Sequence, residues 1–165
     1  MQKNDLSGLT AVFSLPVTVL DNGATTLSST NAVTGSLNSK MISHAAFSNH
    51  ANVTTDVNTA AAFTRIGTSE GGVFVLGLAS NGDLKVAQGE ILALDDAEAF
   101  KDDAPQFPYI PDTMMPFAYV IVKAGDNAAA KATGWLWGTS NHTGVTGVTT
   151  ALVDIAVMPD RPQIA

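Results

Sequence analysis

The chain has 165 residues and a mass of 17.0 kDa, a size that fits one domain. It contains no cysteine, which excludes disulfide bonds, thiol chemistry and cysteine-ligated metal sites. Its 8 Lys and Arg against 15 Asp and Glu give a formal net charge of −7. This balance argues against nucleic-acid binding, because contacts with phosphates need clustered basic side chains.

The first strand pattern contains Phe13, Leu15, Val17 and Val19, which alternate with smaller or polar residues. Such alternation is typical of a strand with one buried face. We therefore expect the face that carries these four side chains to lie against the core. Pro16 interrupts the pattern and has no N–H for a neighbouring strand, which predicts an edge position.

A β-hairpin is the clearest element of the sequence. Residues 73–80 and 83–89 are strand-like runs, and Asn81-Gly82 lies between them. Asn-Gly tolerates the positive φ angles of a tight turn, so this arrangement predicts two antiparallel neighbours.

Two runs, residues 73–79 and 117–122, are apolar on both faces. Both are far shorter than the roughly 20 residues of a membrane helix, so we expect no membrane partner. A strand that is apolar on both faces needs cover on both sides. Two sources of cover remain open at this point: a long loop of the same chain, or another subunit.

Further strands are predicted over residues 116–123, 134–138 and 149–158. Weak turn or helix signals lie at residues 39–47, which also fit a strand, and at residues 55–63 and 94–101. Many short strands with turns between them predict a mainly β fold, an antiparallel β-sandwich or jelly roll with short helical turns at most. We expect a single domain over residues 1–165, in which residues 1–50 either join the fold or form an arm or strand-exchanging segment.

Candidates for chemistry are few. His44 and His50 are six residues apart, which matches neither the helical nor the strand spacing of a metal-binding pair, and His142 stands alone. The sequence has no nucleophile elbow, no P-loop and no dinucleotide-binding glycine pattern. We therefore predict no catalytic residue, no metal ligand and no cofactor.

An acidic segment contains Asp95, Asp96, Glu98, Asp102 and Asp103. It lacks the alternating pattern of a calcium loop. The favoured interpretation is a solvated loop, followed by a contact with a basic patch on a partner. A hydrolase that uses two of these acids is the remote alternative.

Residues 105–111 have a proline at every third position, which matches the three residues per turn of a polyproline II helix. Such an extended, stiff segment presents Phe107, Tyr109 and Ile110 as candidate contact residues. It either crosses the sandwich of its own chain, the favoured interpretation, or lies across a neighbour.

Trp135 and Trp137 are two residues apart, so on a strand they would share a face. They are candidates for core residues or for anchors of an interface with a partner. A sugar-stacking platform is the alternative.

The sequence also resembles a family of small virion structural proteins of tailed bacteriophages. The resemblance covers residues 55–165 and depends on the order and spacing of short motifs. These are Gly72-Val73-Phe74-Val75-Leu76-Gly77, Asn81-Gly82, Val86-Ala87-Gln88-Gly89, Leu94-Asp95, Phe100, Pro105-Gln106-Phe107-Pro108, Ile110-Pro111-Asp112, Pro116-Phe117-Ala118-Tyr119, Lys123-Ala124-Gly125, Val145-Thr146-Gly147-Val148-Thr149 and Met158-Pro159-Asp160-Arg161-Pro162.

The resemblance implies a non-enzymatic component of the virion. Its most specific form is a capsid decoration (cement) protein on the capsid exterior, with the major capsid protein as partner. The resemblance further implies self-association as a homo-oligomer, for which a trimer is the expectation. It carries over no catalytic, cofactor or metal residue.

Two other functions compete with this interpretation. One is a tail, baseplate or fibre component, which would be found at the tail of the particle. The other is a carbohydrate-binding β-sandwich module that uses Trp135 and Trp137.

Overall fold

The computed structural model describes residues 11–101, 104–126 and 134–163. These residues form eleven strands and no helix, and the strands make three antiparallel sheets. This confirms the mainly β, sandwich-like fold. Since the described residues contain no helix, none of them forms an apolar helix long enough to cross a membrane.

The strands, in chain order, are β1 Ala11–Ser14, β2 Thr18–Leu20, β3 Thr26–Ser29, β4 Val33–Leu37, β5 Lys40–His44, β6 His50–Ala51, β7 Glu70–Ala79, β8 Leu84–Gln88, β9 Leu92–Ala93, β10 Met114–Ala124 and β11 Val148–Asp154.

The largest sheet has the strand order β11-β10-β7-β8, and β9 pairs with the start of β7. Its two long central strands are β7 and β10, which run antiparallel, with Phe74 opposite Val120 and Val73 opposite Ile121. Both strands are buried on both faces along most of their length, as their composition predicts. We call this sheet the central sheet.

The predicted hairpin joins β7 to β8, but its loop has three residues where a two-residue turn was expected. The Ala79 N–H donates to the Asp83 carbonyl, and the Gly82 N–H donates to the Ala79 carbonyl, both at 2.9 Å. Of the loop residues only Gly82 has a positive φ, of 88°. This is a type I turn followed by a left-handed glycine, the usual form of a three-residue hairpin loop.

Two small sheets cover one face of the central sheet. Their strand orders are β1-β4-β5 and β2-β3-β6. Their inward side chains belong to the same hydrophobic cluster as Phe74, Leu76 and Val120 of the central sheet. The inward residues are Val12, Leu20, Leu27, Val33, Leu37 and Ile42.

The other face of the central sheet is covered by non-strand segments of the same chain. Val73, Tyr119 and Ile121 of this face pack in a second cluster with Ile110 and Ile155. These last two residues come from the proline-rich segment 105–111 and from the chain after β11. The sequence left open whether a loop of the same chain or another subunit covers this face. The structure shows that loops of the same chain cover it.

The first predicted strand differs from expectation in two ways. It is divided into β1 and β2, which belong to different sheets, because the chain bends at Pro16 and at Val17, whose φ is 51°. Its orientation is also the reverse of the expected one, since Pro16 and Thr18 are buried while Phe13 and Val19 are exposed.

The weaker predictions have mixed outcomes. Residues 39–47 contain strand β5, and residues 55–63 and 94–101 form turns without a helix. Asp56 accepts a bond from the Thr59 N–H at 3.0 Å, as a helix cap would, but the turn does not continue. The short strand expected at residues 134–138 is reduced to a single bridge between Ile66 and Trp135.

Candidate interaction surface

The proline-rich segment lies on its own chain, as the favoured interpretation predicted. Phe107 packs edge-on against Tyr119 of β10, with ring centroids 5.1 Å apart, and Ile110 is buried. Tyr109 is the outward residue, with 57% of its surface exposed, and its carbonyl accepts a bond from the Asn58 side chain at 2.9 Å. Of the three candidate contact residues in this segment, only Tyr109 therefore offers most of its surface to a partner.

Trp135 and Trp137 lie in the interior, with at most 1% of either side chain exposed. Trp137 stacks on Phe74 at a centroid distance of 4.8 Å, and the Trp135 indole N–H donates to the Asn141 carbonyl at 2.9 Å. The two indoles are thus core residues of this chain. Neither ring face is open to a sugar or to a partner at the surface.

His142 completes this aromatic cluster and is itself buried. Its ring stacks on Trp137 at 4.8 Å, and its Nδ1 lies 3.2 Å from the Thr26 carbonyl oxygen. Because a carbonyl only accepts, Nδ1 carries the proton, and Nε2 then accepts from the Asn52 amide at 2.9 Å. Burial lowers the pKa of His142 below 6.5, although the Thr26 carbonyl and the Asp21 charge act in the opposite direction. A neutral imidazole with both nitrogens bonded has a structural role here.

His44 and His50 lie together, far along the chain from His142. Their rings are 5.5 Å apart and both pack edge-on against Phe47. The Nδ1 atom of each ring is 2.8 Å from the carbonyl oxygen of the following residue. Across residues 11–101, 104–126 and 134–163, no three His, Asp or Glu side chains come close enough together to hold a metal ion.

The acidic segment forms a turn at the surface. The Asp95 carboxylate accepts bonds from the N–H groups of Ala97 and Ala99, both at 2.9 Å, and Asp96 is exposed. Asp102 and Asp103 lie outside the described residues. The described acids of this segment fit the solvated loop that was favoured from the sequence.

The surface feature that sequence reasoning missed is an apolar stripe formed by Phe13, Leu15, Val17 and Val19. Between 39% and 62% of each of these side chains is exposed. A signal was present in the sequence, because the alternate positions Val12 and Leu20 are also apolar and are the ones buried. This segment therefore has apolar residues on both faces, and the face with more of them points to solvent.

The stripe lies in a part of the chain that carries almost no charge. Between residues 11 and 51 the only Asp, Glu, Lys or Arg residues are Asp21 and Lys40. Residues 52–165 contain six Lys and Arg and thirteen Asp and Glu, which accounts for the full net charge of −7. The Asp21 carboxylate accepts bonds from the hydroxyls of Thr26, at 2.6 Å, and Ser28, at 2.8 Å. The apolar stripe therefore lies in a nearly uncharged stretch of the chain, and the Asp154 carboxylate of β11 lies beside it, where it accepts a bond from the Thr18 N–H at 2.9 Å.

Among the described residues, the four exposed side chains of the stripe provide an apolar surface for contact. Comparison with known protein families, with curated proteins and with solved structures finds no match to the chain.

Proposed function

We propose that this protein is a non-enzymatic structural component of a tailed-phage virion, a head decoration or cement protein that binds the outside of the major capsid shell. The observation that carries the proposal is the apolar stripe on a nearly uncharged layer of an otherwise well-packed chain. A protein whose task is contact needs such a surface, whereas an enzyme needs converging polar groups in a cleft.

The energetics of cementing suit this surface. A decoration protein stabilises a head by holding together subunits that internal pressure would separate. Each 1,000 Å² of apolar surface removed from water contributes roughly 25 kcal/mol before the large costs of ordering. Because a head offers many equivalent sites, a modest net affinity at each site adds up over the particle.

The resemblance to small virion structural proteins supports the proposal from a separate direction. Two of its motifs lie in the long central strands, since residues 72–77 belong to β7 and residues 116–119 belong to β10. The apolar stripe lies before the region of resemblance. The stripe is therefore a feature of this chain in addition to the resemblance.

The test compares phage heads with and without this protein. Heads that lack it should release their genome at a lower temperature, and addition of the purified protein should restore the higher temperature. DNA release on heating, followed with a dye that fluoresces on DNA, provides the measurement. Equal heat resistance of the two kinds of head would contradict the cementing role.

Location on the particle separates the head proposal from a tail, baseplate or fibre role. Gold-labelled antibody against the protein should decorate the head surface of intact virions in electron micrographs. Label confined to the tail or its tip would replace the head proposal with the tail alternative.

A further inference from the structure

We propose that Asn22 is a site of spontaneous covalent modification, at which its side-chain amide is converted to an acid through a cyclic imide formed with the Gly23 backbone nitrogen. This reaction takes place within the chain, so it is independent of binding to a capsid. Glycine favours it, because a residue without a side chain leaves its own backbone nitrogen unobstructed. The sequence contains two Asn-Gly pairs, Asn22-Gly23 and Asn81-Gly82, and the structure distinguishes between them.

The reaction needs no reagent other than water. The Gly23 nitrogen gives up its proton and attacks the side-chain carbonyl carbon, Cγ, of Asn22. A Cγ–N bond forms, the Cγ–Nδ2 bond breaks, and Nδ2 takes up a proton and leaves as ammonia. Water then opens the imide at one of its two carbonyl carbons, which gives aspartate or isoaspartate at position 22 and adds one negative charge to the chain.

At Asn22 a single hydroxyl contacts both reacting groups. The Gly23 N–H donates to the Thr143 Oγ1 at 3.3 Å, and the Thr143 hydroxyl donates to the Asn22 Oδ1 at 3.2 Å. The contact of this hydroxyl with the Asp21 carbonyl oxygen is longer, at 3.4 Å. A donor on Oδ1 stabilises the negative charge that develops there during the attack, and an acceptor beside the N–H favours removal of its proton. Thr143 therefore polarises the nucleophile and its target together.

The Asn22 side chain is otherwise little restrained. Asn22 and Gly23 are exposed, and no hydrogen bond to the described residues holds the Nδ2 that must leave. Apart from its chain neighbours, a Cβ placed on Gly23 would have no atom within 4 Å. The turn therefore has room for the planar imide ring.

Asn81 belongs to the same dipeptide but is held on all sides. Its Nδ2 donates to the Asp83 carboxylate at 2.7 Å, and its Oδ1 accepts from the Asp83 N–H at 3.1 Å. The Gly82 N–H donates to the Ala79 carbonyl at 2.9 Å within the hairpin turn. An attack at Asn81 must break these three bonds, and the Asp83 charge disfavours a second negative charge beside it. The reaction should therefore be slower at Asn81 than at Asn22.

The modification changes the layer that carries the apolar stripe. Position 22 lies in the turn after β2, the strand that contains Val19. A carboxylate there enters the stretch of residues 11–51, in which Asp21 and Lys40 are the only charged residues. Isoaspartate also lengthens the main chain of this turn, which the bond from the Asp21 N–H to the Thr26 carbonyl closes at 3.1 Å. Both the charge and the geometry next to the stripe therefore change.

The first experiment ages the purified wild-type protein in warm, mildly alkaline buffer. Tandem mass spectrometry of a digest prepared at acidic pH, where the reaction is slow, assigns acid formation to individual positions. Acid should form about tenfold faster at position 22 than at position 81, which corresponds to a barrier lower by about 1.4 kcal/mol. In urea the two rates should become similar, because the bonds that distinguish the two pairs are lost. Labelling by an isoaspartyl methyltransferase should show that the acid forms through the imide.

Variants of Thr143 test the contribution of the hydroxyl. Thr143→Val removes it with little change of shape and should slow acid formation at position 22 severalfold, whereas Thr143→Ser keeps the hydroxyl and should retain most of the rate. Asn22→Gln should abolish the reaction there, because closure of a six-membered ring is slow. The rate at position 81 should stay at its wild-type value in all three variants, which checks that each of them folds.

The proposed site is wrong if the folded protein forms acid at position 81 as fast as at position 22. It is also wrong if position 22 remains an amide while the chain in urea reacts there. An unchanged or increased rate in Thr143→Val would contradict the contribution of the hydroxyl. None of these results bears on capsid binding, which the heating of phage heads tests separately.

Discussion

Two regions of this molecule have strongly apolar strands, but the apolar faces are buried in one region and partly exposed in the other. In the central strands β7 and β10, both faces are apolar and both are covered, by the small sheets on one side and by loops on the other. In the first strand segment, the apolar stripe that runs from Phe13 to Val19 remains exposed. The pattern of the sequence indicates where apolar faces are, and the rest of the chain decides which of them are covered.

The two regions differ because other segments of the chain pack over the central sheet. The proline-rich segment and the chain after β11 both extend over the second face of the central sheet. The small sheets have one face against the central sheet, and no described segment lies over the apolar stripe. Substitutions in the two regions therefore test this contrast between a covered and an uncovered apolar face.

The largest effect is expected for Phe74→Ala in the covered region. Phe74 is fully buried and packs against Phe63, Trp135 and Trp137 at centroid distances between 4.8 and 5.9 Å. Its truncation leaves a cavity in the core, so the free energy of unfolding should fall by about 3–5 kcal/mol. Urea unfolding, followed by tryptophan fluorescence, measures the change. A loss below about 1 kcal/mol would show that this face of the central sheet is not packed as described.

A slightly smaller effect is expected for Ile110→Ala, which tests the covering segment itself. Ile110 is buried against the second face of the central sheet, so its truncation should cost about 2–5 kcal/mol. The neighbouring Tyr109→Ala is the matched control, because Tyr109 points outward and should cost well under about 1 kcal/mol. Equal effects of the two substitutions on the urea midpoint would mean that the proline-rich segment does not cover the sheet.

Acidification should weaken the covered region through His142. Its pKa in the folded chain is lowered by burial, so the unfolded chain binds the proton more readily. The stabilising effect of the neutral, bonded ring is therefore complete above pH about 6.5 and decreases as the pH falls from there to the lower pKa of the folded state. Urea midpoints between about pH 8 and pH 5 measure this dependence.

The variant His142→Gln should remove that part of the pH dependence, whereas His44→Gln should keep it, because His44 lies at the surface in a different cluster. An unchanged slope in His142→Gln would assign the pH dependence to other groups.

The smallest effect is expected for Phe13→Ala, the same chemical change as the first prediction in the uncovered region. Most of the Phe13 side chain is exposed, so the stability of the monomer should change by no more than about 0.5 kcal/mol. The measurement belongs at protein concentrations low enough to keep the chain monomeric, since association would add to apparent stability. A loss comparable with that of Phe74→Ala would place Phe13 inside the folded chain.

The fold class and the central hairpin were predictable because they depend on local signals. Alternating apolar residues and the Asn81-Gly82 pair indicate strands and a turn without knowledge of the rest of the chain. The three-residue form of the turn was missed because Asn-Gly fits both loop types. The proline-rich segment was correctly placed on its own sheet, since its apolar residues match a face that needs cover.

The surface was predicted less well than the core. Trp135 and Trp137 were proposed both as core residues and as contact residues, and their position inside the cluster depends on Phe74 and His142, which are distant along the chain. The orientation of the first strand was predicted in reverse, because Val12 and Leu20 compete with the larger apolar residues for the core. Period-two patterns identify two faces but assign neither of them to the interior when both are apolar.

The sequence alone determined that this chain forms short antiparallel strands, that two of them need cover on both faces, and that its charge is concentrated after residue 51. Only the tertiary structure decided which apolar faces the chain covers itself and which one it leaves to solvent. The reason is that alternation and turn residues act over a few positions, whereas cover comes from segments dozens of residues away, whose paths depend on the packing of the whole molecule.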